Sequence, residues 1–184
     1  MQLNKVLALK LDAALLFGTV AGDPKGFNGM DYSAETTITW DSDMQTNWDP
    51  IISACGYLAG AHVPPPYHVV LHPWANTWLE LIKELAGSTI QSNAYLAVPD
   101  SVPPRSVTSL IPVDGTAHTS TAYVYAPKQV GWVRRRDVRI EVDRSQEFSN
   151  DMVQLRGKLR GAPVFSYPQA IVKIAGVPTP NPAS

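Results

Sequence analysis

The sequence predicts an α+β fold. Three observations carry that prediction. Apolar residues recur at three- and four-residue spacings in three separated places, near residues 2–17, 49–61 and 73–85, the mark of amphipathic helices. Strand-length apolar or alternating runs fill other stretches, above all the last third of the chain. The two kinds of segment also do not follow the regular strand–helix–strand rhythm of a parallel α/β sheet. The chain has 184 residues, 45% hydrophobic and 17% charged, which suits a globular protein with one core, or one core and a satellite layer.

Taken in order, residues 2–17 read as a helix through Leu3, Val6, Leu7, Leu11, Ala14 and Leu15, with Gly18 as its C-terminal cap. The segment GTVAGDPKGFNGM follows, an irregular turn whose Gly18, Gly22, Pro24 and Gly26 suit permissive or fixed backbone angles. Thr36–Trp40 reads as a short strand. Asp49-Pro50 places an acid at a helix cap and Pro in the first turn of a helix running to Ala61, with Ile51, Ile52, Cys55 and Leu58 buried. Three prolines stop that helix, and YHVVLH is a buried strand. Pro73 opens a helix with Trp74, Trp78, Leu81, Ile82 and Leu85 on its apolar face, terminated at Gly87.

Signals are weak from Ile90 to Pro104. Ser109–Val113 and Thr121–Tyr125 read as strands joined by DGTAHTS, with Val130–Val133 as a further short strand. Val138, Ile140 and Val142 alternate with Arg139, Glu141 and Asp143; Val153, Leu155, Gly157 and Leu159 alternate with Gln154, Arg156, Lys158 and Arg160. Both are half-buried strands expected to share a sheet. Ala170–Ile174 is the last strand, and the proline-rich 179–184 a disordered tail.

Several function classes find no support. A net charge of −1 argues against a surface that binds nucleic acid throughout, so any basic patch is local. Cys55 is the single cysteine, so no intramolecular disulfide forms and a reducing compartment is implied; it reads as a small buried side chain, not a reactive thiol. No run reaches the ~18 apolar residues of a membrane span. His68 and His72 fall on a strand, about 13 Å apart at that spacing, too far to share one metal ion. No G-x-S-x-G elbow is present, and FGTVAGDPKGF follows a helix where a phosphate loop follows a strand. No cofactor is implied. Two basic clusters stand out. Arg134, Arg135 and Arg136 form a short run. Arg156, Lys158 and Arg160 project from one strand face, where they repel unless something negative lies opposite. Glu141 or Asp143 on a neighbouring strand, a carboxylate of another subunit and packaged DNA phosphate are the available partners, carboxylates being favoured.

Read together, LDAALLFGTVAGDPKGF, DPIISACGYLAG, HVVLHP, PWANTWLELIKEL and GWVRRRDVRIEVDRSQEFSNDMVQLRGKLRGAPVFSYPQAIVKIAG resemble, in order, the C-terminal half of a tailed-phage major capsid protein of the Hong Kong 97 type. The resemblance implies the end of a spine helix and a glycine-rich turn at 1–30, an axial domain with a mixed sheet flanked by helices at 31–137, and a peripheral-domain return sheet at 138–178. It implies a structural, non-enzymatic protein of the virion, made in the bacterial cytoplasm. Such a protein associates with copies of itself in pentamers and hexamers and makes weak nonspecific contacts to packaged DNA, with no membrane or small-molecule partner. An encapsulin-like nanocompartment subunit shares the architecture. A small cytosolic enzyme with a site near His68 and His72 is the alternative from another class.

Two departures bear on this. In this register the family's arm, extended loop and most of its spine are absent, which implies a truncated piece, a fragment gene or a separate protein using half the fold, assembling at most into small rings. Covalent cross-linking in some members uses Lys, Asn and Glu. Here the Asn position is Asp151, beside Asn150, and the Glu position is Lys158, so that chemistry is not expected. Pro99–Arg105 and Asp114–Ser120 are the candidate loops at a symmetry axis.

Overall fold

β-Branched and aromatic residues concentrate in the strands at the middle of a mixed sheet. The computed structural model describes residues 3–19, 28–40, 48–81, 98–143 and 154–180. Chain order runs α1 (Leu3–Phe17), α2 (Met30–Ser33), β1 (Thr36–Thr39), α3 (Asp49–Gly60), β2 (His68–Leu71) and α4 (Pro73–Glu80). It continues through β3 (Arg105–Val107), β4 (Val113–Asp114), β5 (Thr119–Tyr125), β6 (Val130–Asp143), β7 (Gln154–Phe165) and β8 (Ile171–Pro178). The main sheet has the order β1-β8-β5-β2-β3, with β4 pairing β5. β8 runs antiparallel to β5 and parallel to β1, and β2 antiparallel to β5 and parallel to β3.

Period-two alternation divides this sheet between two cores. Val69, Leu71, Ala122, Val124, Val172 and Ile174 face α3 and α4, meeting Ile51, Ala54, Leu58, Ala75 and Leu79. Tyr123 and Ile171 face the other way, toward Leu16, Met30 and Ile111. Each large aliphatic side chain buried there contributes about 1.5–3 kcal/mol. A polar tie fixes α2 to this second face: the Tyr123 hydroxyl donates to Asp31 Oδ1 at 2.8 Å, and Lys173 Nζ pairs with the same oxygen at 2.5 Å.

The helices refine the sequence reading. In α3, Asp49 is the first helical residue and Trp48 is the cap, without a side-chain capping bond. Ile51 and Leu58 are buried as expected, but Ala54 takes a core place, while Ile52 and Cys55 are half-buried at its edge. The helix ends in a Schellman turn. Val63 N–H reaches the Leu58 carbonyl and His62 N–H the Ala59 carbonyl, each at 3.0 Å, with His62 at φ 59°. In α4 the expected face is rotated. Ala75 and Leu79 are buried and Trp78 is half-buried, whereas Trp74 and Leu81 are exposed. α4 packs its 75/78/79 stripe on the sheet and on Trp40, which leaves its first-turn indole outside. Ile82, Leu85 and Gly87 lie outside the described residues.

Among the strands, Ser109–Val113 is not one: only Val113 and Asp114 pair, and 109–110 are turn. Asp114 Oδ1 accepts from Thr116 N–H at 2.8 Å and Ala117 N–H at 3.0 Å, which nucleates the β4–β5 turn instead. β3 lies just past the weak-signal stretch Ile90–Pro104, where no strand is read from the sequence, and gains its order from pairing with β2. The expected strands 130–133 and 138–142 are one strand, β6, bulged near Arg134–Arg139. β6 and β7 pair only with each other among the described residues, with Ile140 opposite Gly157. In pairing, β8 therefore goes with the main sheet, and among the described residues β6 and β7 stand apart from it as a two-stranded ribbon.

Candidate functional site

The ribbon gathers the basic residues singled out in the sequence. Arg134 Nε pairs with Asp137 at 3.0 Å, three residues on along the same strand and open to water. Lys158 Nζ pairs with Glu141 at 2.5 Å, with both side chains 40% exposed. In register, Lys158 lies opposite Arg139, and Arg160 opposite Arg136. Like charges face each other across the strands, which is unfavourable unless something negative approaches. Arg135, Arg139 and Arg160 are exposed and have no ion pair among the described residues. Arg156 is placed by its backbone opposite Glu141; the side chains of Arg136 and Arg156 lie outside the described part. Exposed pairs of this kind are each worth about 0–1 kcal/mol, so the ribbon's charge is not what holds it to the body.

It touches the body at Gly157, where a side chain would meet Leu7 of α1 at 2.7 Å, and it is packed within itself at Gly161, where a side chain would run into the Trp132 ring. The Ser166 N–H also bonds the Gln129 carbonyl at 2.9 Å, closing the ribbon's base. Val133 and Val164 near that base, and Ile140 farther along β6, are each about half exposed or more.

Gly18, the first residue of the expected turn, is tied to its far end. Its N–H bonds the Ala14 carbonyl at 2.8 Å, and its carbonyl accepts from Gly29 N–H at 2.6 Å. Gly22, Pro24, Gly26, Asn150 and Asp151 lie outside the described residues. The two histidines serve separate partners. His68 Nε2 meets Ser106 Oγ at 2.8 Å, and His72 Nδ1 caps α4 by accepting from Trp74 N–H at 3.1 Å. Burial holds the His72 pKa below the usual imidazole value and raises that of the Cys55 thiol.

One polar cluster was not read from the sequence. Arg105 Nη1 donates to Asn76 Oδ1 at 2.8 Å, Arg105 Nη2 lies 3.5 Å from Glu80, and Asn76 Nδ2 donates to Glu80 at 2.9 Å. The guanidinium also sits 4.9 Å from the Trp48 ring centroid. This cluster borders an open cleft of about 480 Å³ with Val98, Val102, Pro103, Pro104 and Val107. Nothing short-range links Asn76 to Arg105 in sequence; only the parallel pairing of β2 and β3 brings them together.

The phage capsid family matches residues 1–176. The chain belongs to the phage capsid family. Among solved structures, this phage capsid family chain is similar to that of Mycobacterium phage Che8, at 16% identity over 93% of its length with a TM-score of 0.60. It is likewise similar to Gordonia phage Cozz, at 12% identity over 94% with a TM-score of 0.63. A third likeness is the holo-SrpI encapsulin complex of Synechococcus elongatus, at 9% identity over 95% with a TM-score of 0.61, where the match covers 63% of that chain. The capsid-family chain spans 60% of the length of each of the two phage chains. At these identities the likeness is one of fold. No curated protein sequence matches.

Proposed function

We propose that this chain is a structural subunit of a phage-type shell, acting by packing against copies of itself. The observation that carries the reading is the family match over residues 1–176, on a mixed α+β fold shared with phage capsids. On this reading the six-stranded sheet with α3 and α4 is the axial part, and α1 with the β6–β7 ribbon the peripheral part. The basic residues Arg134, Arg135, Arg136, Arg156, Lys158 and Arg160 face a neighbouring subunit or packaged DNA. The Gly18–Gly26 turn joins the two parts. The protein catalyses no reaction, is made in the bacterial cytoplasm and ends in the virion.

The encapsulin likeness supports a second reading, a subunit of a protein nanocompartment. One experiment separates them. Nuclease-treated particles pelleted from cells expressing the gene are examined by peptide mass spectrometry and electron microscopy. Peptides from residues 1–176 in DNA-filled, tail-bearing particles are expected. Peptides in DNA-free shells loaded with protein would favour the nanocompartment, and a chain found only in the soluble fraction would overturn both.

A further inference from the structure

Register divides the outer part of the β6–β7 ribbon into two unlike faces. Residues opposite each other in a ladder share a face, and faces alternate along a strand. The register shifts lie on β6, so β7 keeps its alternation, and its even-numbered residues carry their β6 partners onto one face. Arg136, Arg139, Glu141 and Asp143 therefore stand with Arg160, Lys158, Arg156 and Gln154. Of these eight residues five are basic, two are acidic and none is apolar. Ile140, Val142, Leu155, Gly157 and Leu159 stand on the other face, as does Arg134 opposite Gly161. That face meets α1, because Leu7 lies against Gly157, so the charged face is turned away from the helix.

Charge on this face is set against itself. Arg139 lies opposite Lys158 and Arg136 opposite Arg160, two like-charged pairs in succession. Five cations against two carboxylates leave a surplus of three, on a chain whose net charge is −1. Arg139 and Arg160 are exposed, and Lys158 stays 40% exposed while paired with Glu141. The composition chooses between partners. The core of a contact between proteins is depleted in Lys, Glu and Asp and rich in apolar area, which these eight positions do not offer. A surface that holds nucleic acid is polar and positive. The row from Arg156 to Arg160 runs about 14 Å along the strand. Duplex DNA presents one negative charge per ~1.7 Å of axis, about eight over that length.

We infer that this face of the ribbon binds the phosphate backbone of double-stranded DNA without reading its sequence. The inference rests on the shell reading, which makes DNA the polyanion within reach, and deepens it by choosing DNA over a neighbouring subunit for this face. A phosphate lying across two opposed cations attracts both, which turns each unfavourable pair into a shared contact.

The test uses the purified full chain and fluorescent DNA duplexes of about 30 base pairs, read by anisotropy. Counterion release contributes about −0.9 to the slope of log K against log salt for each phosphate neutralised, so a surplus of three gives a slope of about −2.7. Affinity should then fall about fortyfold between about 0.05 and 0.2 M salt, alike for two duplexes of unrelated sequence. R139E/R160E should bind at least tenfold more weakly, with the slope flattened to about −0.9, and R139K/R160K should stay within about threefold of wild type. The double Glu variant sets carboxylates opposite Lys158 and Arg136, so its Tm should equal or exceed that of the wild type. R139Q/R160Q, which only removes charge, should fall between the two in affinity. R134Q, altered on the α1 side, should bind within about twofold of wild type. Failure to bind at the lower salt would overturn the inference. So would a tenfold preference between sequences, a double Glu variant that binds normally, or R134Q as weak as that variant. Self-association that R139E/R160E abolishes while DNA binding stays intact would give the face to a protein partner instead. A chain found in particles from cells but unable to bind DNA would leave the shell reading standing and this surface refuted; one that binds as expected but stays in the soluble fraction would do the reverse.

Discussion

Gly29 should tolerate no side chain. It lies where the start of α2 crosses the end of α1. An ideal Cβ there would sit 2.7 Å from Gly18 N and 2.8 Å from both the carbonyl carbon and the oxygen of Leu16. All three are backbone atoms, so no rotamer change relieves the clash; the two segments must separate. Overpacking of this kind costs about 1–3 kcal/mol. Separation also strains the 2.6 Å bond from Gly29 N–H to the Gly18 carbonyl, worth about 1 kcal/mol. Gly29→Ala is therefore expected to lose about 2–4 kcal/mol, a large part of a typical stability of about 5–15 kcal/mol. For a chain of this size that lowers Tm by roughly 6–12 °C. The assay is urea unfolding followed by circular dichroism, beside Gly56→Ala as control. Gly56 is on the open side of α3 with nothing within 4 Å of an added Cβ, so the same substitution should there stabilise by about 0.5–1 kcal/mol. Two substitutions of the same sign, or a Gly29→Ala midpoint equal to wild type, would refute the reasoning.

Other outcomes follow from single features. His62→Gly should stabilise by about 1 kcal/mol in the same titration, because His62 holds φ 59° at the Schellman position where a Cβ costs about 1–2 kcal/mol. Trp78→Ala should cost about 2–3 kcal/mol, since its ring is half-buried and stands edge-on to Trp40 at 6.0 Å, while Trp74→Ala should cost under about 1 kcal/mol. Burial first, and then the bond to Asp31, raise the Tyr123 pKa above its ordinary value of 10.0. The folded state thus keeps its phenol proton where the unfolded chain releases it. Stability from this group is complete below pH ~10 and is lost as pH climbs beyond that toward the folded value. Urea midpoints at pH 8 and pH 11 should differ less in Tyr123→Phe than in wild type; an unchanged difference would remove Tyr123 from the account.

The sequence carried the fold class because apolar spacing is local, and α1, α3, β2 and the alternating parts of β6 and β7 are written in spacing. It failed where order comes from a distant strand. Arg105–Val107 carries no strand signal of its own and is a strand because β2 offers it a ladder. The face of α4 was misjudged because two tryptophans outweigh Ala75 in any hydrophobicity count, yet small Ala75 is what allows the helix to sit close on the sheet. The basic ribbon was legible as a period-two stripe, but its bulges, and the opposition of Lys158 to Arg139, belong to register that no single strand encodes. The Arg105–Asn76–Glu80 cluster was illegible for the same reason.

The order of strands also sets the timing of synthesis. Among the described strands β8 is the last to be translated, yet it lies between β1 and β5, and β1 has no other strand neighbour among the described residues. Until residues 171–178 leave the ribosome, Val124 and Ala122 lack their antiparallel mate and α3 lacks Val172 and Ile174 beneath it. The nascent chain must therefore hold its early helices and β1 unfinished through the whole length of the ribbon, and close the sheet in one late, long-range step. A copy cut short anywhere before Ile171 leaves that sheet open.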